Sequence, residues 1–170
     1  MVALWRLAAA FRTKACGFAV KFTFQSMDPG MTETDCLFCK IVRGEIPCAK
    51  LFETPEVLAF LDIAPIRPGH ALVIPKLHAP SLWELPDAMG GQLLSAFKLV
   101  GRAVAAATKA TGVNVVMNNG ASAGQIVLHA HFHLIPRLED DGLAPWTGAP
   151  YPDAQAMARM AEAIRNQIHP

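Results

Sequence analysis

The stretch that most constrains this chain is residues 124–137, Gly-Gln-Ile-Val-Leu-His-Ala-His-Phe-His-Leu-Ile-Pro-Arg. His129, His131 and His133 alternate with Ala130, Phe132 and Leu134. Period-two alternation predicts a β-strand with one apolar face and one imidazole face. Same-face neighbours on a strand lie about 6.6–7 Å apart, so a single ligand can meet two of the rings. Half of the chain's 6 histidines fall within these five residues. A merely solvated strand face is the alternative, and it gives no reason for that concentration.

The surrounding pattern places this strand in a mixed fold. Asp35 to Gly44 reads as a short helix with Asp35 as N-cap and Gly44 as the stop. Residues 49–53 and 57–61 read as strands separated by a Thr-Pro-Glu turn, and His70 to Ile74 as another strand stopped by Pro75. Pro86 and Asp87 open the longest helix, about residues 87–110, with Met89, Leu93, Phe97, Val100 and Val104 on one face and Gly112 as its stop. Asn114 to Asn118 reads as a strand beside the histidine strand, and 119–124 as a small-residue loop that lets backbone approach a ligand. A last helix at about 154–168 carries Met157, Met160, Ala161, Ile164 and Ile168 on a face expected to join the core. Hairpins interrupted by one long helix predict an α+β fold, a mainly antiparallel sheet with one long central helix and a C-terminal helix.

The chain's 170 residues suffice for one domain with a sizeable core. The formal net charge of +1 argues against a nucleic-acid surface or a polybasic membrane patch. No run of 18 apolar residues is present, so no transmembrane helix is expected. Residues 1–30 are basic and apolar, with no acid before Asp28. They read as a non-core extension, either an over-extended start before Met27 or Met31 or a mitochondrial transit peptide. The expected location is cytoplasmic on the first reading and mitochondrial on the second. Residues 31–170 form the expected domain.

Imidazole near neutral pH can act as nucleophile, acid or base, or metal ligand. A histidine attacking phosphorus needs one free ring nitrogen, an acceptor for the other, and donors for the phosphoryl oxygens. His131 is central; His133, Asn118, Gln125 and the amides of the 120–124 loop are the available donors. No G-x-S-x-G, P-loop or G-x-G-x-x-G pattern occurs, so these routes to hydrolysis or phosphate binding are not used. Cys36 and Cys39 form a C-x-x-C pair; Cys16 and Cys48 read as structural or incidental. A redox role would want a preceding thioredoxin-type strand, which is not evident, and no redox cofactor is expected. A metal site would need two more ligands, for which His78 and His129 are the most available; two unliganded thiols are the alternative.

Taken together, these motifs resemble the histidine triad (HIT) family of nucleotide hydrolases and transferases. His129 to Ile135 matches its His-φ-His-φ-His-φ-φ signature. Cys36-Leu37-Phe38-Cys39-Lys40-Ile41, Gly44-Glu45-Ile46-Pro47, Phe60 to Pro65, Gly69 to Lys76 and Asn118 to Gln125 resemble further family segments in the same order. The resemblance spans residues 35–137. It implies that His131 is the nucleophile, forming a nucleotidyl-histidine that water releases. His133 and Gln125 would contact phosphate or leaving group, Asn118 would bind phosphate, and His70 would support the histidines. Asp62 would accept from the ribose hydroxyls, and Leu37, Phe38, Ile41, Phe60 and Ile63 would wall the base. Cys36, Cys39, His78 and His129 would bind a structural zinc, as in some members. A purine nucleotide conjugate is the implied substrate and a homodimer the implied assembly, with the long helix and a sheet edge as interfaces. Ile126 departs from the serine of the family's Hint branch, and the C-terminal helix from the short Hint ending. A phosphoramidate-type substrate is therefore weighed against dinucleoside polyphosphates and against a non-catalytic nucleotide-binding regulator. Trp83 and Trp146 carry no assignment.

Overall fold

The computed structural model describes residues 33–143 and 148–168. The expectations for residues 1–30, and Trp146, lie outside them. The elements are helix α1 (Leu37–Val42), strands β1 (Lys50–Glu53), β2 (Val57–Leu61) and β3 (Ala71–Pro75), helix α2 (Gly90–Thr108), strands β4 (Gly112–Val116) and β5 (Phe132–Arg137), and helix α3 (Ala154–Arg165). The strands make a five-stranded open sheet in the order β1-β2-β3-β5-β4, antiparallel at every pairing. This is the α+β arrangement that the sequence pattern predicts.

Strands β2 and β3 are apolar at every position because both faces of the sheet are covered there. Val57 and Ala59 of β2, Ala71 and Val73 of β3, and Phe132 and Leu134 of β5 pack with Leu93, Ala96, Val100 and Val104 of α2. Leu58, Phe60, Leu72 and Ile74 point the other way and pack with Cys36, Phe38 and Cys39 around α1. Burying one such aliphatic or aromatic side chain contributes roughly 1.5–3 kcal/mol. Register then fixes the face of the histidines. His133 lies opposite Leu72, and Phe132 opposite Val73, so the imidazole of His133 belongs to the α1 side and the phenyl ring of Phe132 to the α2 side.

Several local expectations change. Ladder pairing in β5 begins at Phe132, so His129 and His131 precede the strand. The apolar–histidine alternation nevertheless continues through them, with Ala130 and His129 both fully buried. Cys36, not Asp35, is the N-cap of α1: its backbone is extended and its carbonyl accepts the first helical bond, from the Lys40 N–H at 3.0 Å. The first turn of the long helix is a tighter 3-10 turn, Asp87–Met89. Its end is Lys109, left-handed at φ 57°, while Gly112 opens β4. The expected core face of α3 is not buried. Met157, Met160, Ile164 and Ile168 are all about half exposed or more, because no described element covers that side of the helix.

Candidate functional site

The site is built where β3, the loop 118–125 and the entry to β5 meet. Gly120 (φ 84°) and Gly124 (φ 89°) flank a single 3-10 turn, a conformation that favours glycine at both bends. Gln125, 1 % exposed, closes the loop. Its Oε1 accepts from the Gly120 N–H at 2.8 Å, and its Nε2 donates to the carbonyls of Pro80 (2.6 Å) and Val127 (3.1 Å). The amide expected at the phosphate is thus engaged in holding the loop. Asn118 faces Gly124 across the same loop, its Nδ2 standing 3.4 Å from where a β-carbon on Gly124 would be.

Hydrogen bonds assign a tautomer to each imidazole. The Nδ1–H of His131 donates to the His129 carbonyl at 2.6 Å, which leaves Nε2 as the ring's basic nitrogen. The Nδ1 of His70 accepts from the Ile66 N–H at 3.2 Å, and its Nε2–H donates to Nδ1 of His133 at 2.9 Å. The remaining proton of His133 is therefore on Nε2, a donor beside a basic nitrogen, with the His131 and His133 rings 5.1 Å apart. Burial lowers the pKa of His131 and of His70, opposed at His70 by the Asp62 carboxylate. Burial, with His131 and His70 adding repulsion, brings His133 down to about 4. Neutral imidazoles are the forms this site favours at pH 7, and a neutral ring is the one that can attack phosphorus.

A second cluster adjoins the first. The four side chains Cys36, Cys39, His78 and His129 bring one ligand atom each to within 4.8 Å of one another. The Nδ1 of His129 lies 3.5 Å from the sulfurs of both cysteines, and the Nδ1 of His78 lies 3.3 Å from Cys39 Sγ. Tetrahedral zinc with ordinary bond lengths requires S···N separations of about 3.5 Å. The orientation also fits, since Nε2–H of His129 donates to the Pro75 carbonyl at 2.9 Å and so leaves Nδ1 as the ligand nitrogen. Burial, together with Cys36, pushes the Cys39 thiol up to about 12, and burial lowers His129 to about 4. Two buried thiols this close favour thiolates only around a cation.

The expected nucleoside wall is assembled in part. Phe38 stands edge-on to Phe60 at 5.9 Å and to His131 at 5.2 Å, with Leu37 and Ile41 half-buried against the same cluster. Ile63 is outside it, 80 % exposed on the bend after β2. Asp62 caps that bend through Oδ1, which accepts from the Ala64 N–H, and its Oδ2 lies 3.6 Å from His70 Nδ1. Sequence reading missed the supporting partners, chiefly the carbonyls of Pro75, Pro80 and His129 and the side chain of Asn119. Asn119 accepts from the Leu82 N–H at 2.8 Å. Backbone partners leave no compositional signal, so only the three-dimensional structure brings them out.

Comparison with known proteins agrees with this arrangement. The model of the HIT domain matches residues 43–140. The adenosine 5'-monophosphoramidase hnt1 of Schizosaccharomyces pombe is 46% identical over 138 residues, covering 78% of this chain and 98% of that protein. The adenylylsulfatase HINT3 of Arabidopsis thaliana is 47% identical over 111 residues, 65% of this chain; the match spans only 56% of that longer relative. Among solved structures, SMU.412c from Streptococcus mutans superposes with a TM-score of 0.76 at 39% identity, over 90% of this chain and 98% of that one. A zinc-bound histidine triad family protein from Mycobacterium smegmatis does so with a TM-score of 0.63 at 32% identity, over 78% and 99%. With its triad, its sheet and these matches in one frame, the chain belongs to the HIT family.

Proposed function

We propose that the protein is a hydrolase or nucleotidyl transferase of nucleotide conjugates, cleaving at the α-phosphate through a covalent nucleotidyl-histidine, with purine nucleoside phosphoramidates as the favoured substrates. The observation that carries this reading is the 2.6 Å bond from the Nδ1–H of His131 to the His129 carbonyl, which leaves Nε2 as the unprotonated ring nitrogen. That lone pair attacks phosphorus and the bond to the leaving group breaks. The leaving group keeps the electron pair and takes a proton drawn from solvent, while the Nε2–H of His133 hydrogen-bonds a phosphoryl oxygen. Water then attacks phosphorus, the phosphorus–Nε2 bond breaks with its electron pair returning to His131, the water's proton is released to solvent, and the nucleoside monophosphate leaves. Asn118 and the loop amides bind the phosphoryl oxygens. Gln125 serves them by holding the loop, and His70 sets the tautomer of His133. Asp62 binds ribose, and Leu37, Phe38, Ile41, Phe60 and Ile63 border the base, Ile63 from its exposed bend. Support for the phosphoramidate class comes from the monophosphoramidase relative.

The Cys36/Cys39/His78/His129 set fits zinc, which would be structural. Those residues would hold it, and its charge would stabilise the two thiolates. The same reading includes a homodimer. Its support is the open β4 edge with Val115 half exposed, and the exposed Leu94 and Leu99 on α2.

Rapid acid-free quenching of a reaction with an adenosine phosphoramidate labelled at phosphorus tests the reading. Label is expected on the wild-type chain during turnover and absent from His131→Ala, with no hydrolysis by that variant. Hydrolysis by His131→Ala at the wild-type rate overturns the mechanism, and faster cleavage of a diadenosine polyphosphate overturns the substrate class.

A further inference from the structure

The loop that closes the histidine site is bolted to an apolar surface that the proposed reaction does not yet use. Residues 79–84 run along it. The Ala130 N–H donates to the Ala79 carbonyl at 2.6 Å, Gln125 Nε2 donates to the Pro80 carbonyl at 2.6 Å, and the Leu82 N–H donates to Asn119 Oδ1 at 2.8 Å. A reciprocal cap then locks the 3-10 turn Leu82–Glu84. Ser81 N–H and Oγ–H both donate to Glu84 Oε2, at 2.9 and 2.6 Å, and Ser81 Oγ accepts from the Trp83 N–H at 3.2 Å. On this braced turn Trp83 is 77% exposed and Leu82 40%. At the far end of the same loop Ile126, next to the buried Gln125, is 62% exposed. None of the three joins either core cluster.

An indole carried on a braced turn and left in water adds little packing within the chain. It offers flat contact area at little further entropy cost. Exposed apolar groups gathered beside a polar site mark a ligand-binding surface. The nucleoside side of His131 is already occupied by Phe38. Trp83 and Ile126 instead flank the 118–125 loop, Trp83 following Leu82, which is bonded to Asn119, and Ile126 following Gln125, and in-line attack by His131 sends the leaving group away from that ring.

Building on the hydrolase reading above, we propose that Leu82, Trp83 and Ile126 form a leaving-group subsite that selects nucleotide conjugates with a planar aromatic leaving group, stacked on Trp83. The substrate class is thereby narrowed to nucleoside monophosphates linked through nitrogen or oxygen to an aryl-bearing group.

Two adenosine phosphoramidates test this, one of an arylethylamine and one of its cyclohexyl counterpart of similar basicity. The probe pair is repeated with a methylene in place of the scissile nitrogen and measured by calorimetry. The wild type is expected to prefer the aryl member by roughly three- to tenfold in both kcat/KM and affinity, the worth of one aromatic stack. In Trp83→Ala the aryl-to-cyclohexyl ratio falls to about one, and in Trp83→Phe most of it returns. An unchanged ratio in Trp83→Ala overturns the subsite. So does Trp83→Ala altering the particle mass in solution with the ratio intact, which would make Trp83 a subunit contact. Failure to bind either methylene analogue also overturns it. If the analogues bind with the expected ratio but neither amide is hydrolysed, the subsite stands and the hydrolase reading fails.

Discussion

The Nδ1 of His131 stands 2.6 Å from the carbonyl oxygen of His129, while the imidazole of His129 turns away, to within 3.5 Å of the sulfurs of Cys36 and Cys39. One residue therefore serves both clusters, the first through its main chain and the second through its side chain. Alternation on an extended chain makes this division natural, since adjacent carbonyls and side chains point in different directions.

The Cys36/Cys39/His78/His129 cluster, buried except for the half-buried His78, ties α1 to the segment after β3. Protein purified without chelator is expected to carry about one zinc per chain, counted by atomic absorption, and Cys39→Ser to carry far less. A strong chelator should lower Tm by roughly 5–10 °C, the effect of removing a ligand bound at about a hundred times its Kd. A Tm indifferent to the chelator in a protein that holds zinc would show that the metal does not stabilise the fold.

His70 is 2% exposed and bridges the Ile66 N–H to His133 Nδ1. Leucine fills the space and makes neither bond. His70→Leu is expected to cost about 1–3 kcal/mol in urea unfolding, the penalty for orphaned buried polar groups. The kcat should fall roughly 10- to 100-fold, part of the worth of one oriented donor at the transition state, because His133 is then free to adopt the wrong tautomer. Glutamine, which can accept from Ile66 and donate to His133, should recover part of the rate. Equal rates for the leucine and glutamine variants would show that only packing matters there.

Much of the fold was legible because its signals are periodic. The step of Leu93, Val100 and Val104 marks the buried face of α2, and the apolar run 57–61 marks a strand covered on both faces. The triad was legible because His alternates with apolar residues, and its division of labour came from the resemblance. The start of β5 was misplaced because alternation continues through His129–His131 while ladder pairing does not. α3 misled for a different reason. An amphipathic pattern reports that a face is apolar, but not that this chain covers it, and Met157 and Ile164 are left 54% exposed. The bracing by Pro75, Pro80 and His129 carbonyls was illegible because every residue carries a carbonyl.

Asp141 lies 2% exposed in its side chain beside Arg137 and Arg67. It accepts from Arg137 Nε at 2.7 Å and from the N–H groups of Leu143 and Leu138. The Arg137 guanidinium, then the Leu143 amide, hold its carboxyl well below the usual carboxylate range. A depressed folded pKa means that the unfolded chain takes up the proton first. The stabilisation is complete above the unfolded value near 4 and declines as pH falls through the folded one. Wild type should therefore exceed Asp141→Asn in Tm at pH 7, and the gap should narrow steadily below about pH 4. A gap independent of pH would assign the effect to the hydrogen bonds rather than to charge.

Gly69 sits between His70 and the end of the long helix. Its φ is +92°, and a β-carbon there would lie 2.4 Å from Thr108 Cγ2 at the end of α2 and 3.6 Å from Pro136 Cγ of β5. Gly69→Ala thus meets two penalties, the left-handed backbone and a steric clash, each worth about 1–2 kcal/mol. Thr108→Ser removes the offending methyl and keeps the hydroxyl, which donates to the Val104 carbonyl at 2.8 Å. In a double-mutant cycle the serine should restore the clash component of Gly69→Ala, about 1–2 kcal/mol, and leave the backbone component. Because Gly69 immediately precedes His70, kcat of Gly69→Ala should fall and recover in step with stability. Full additivity of the two substitutions would show that the chain at 69 moves away from α2 instead of pressing on it.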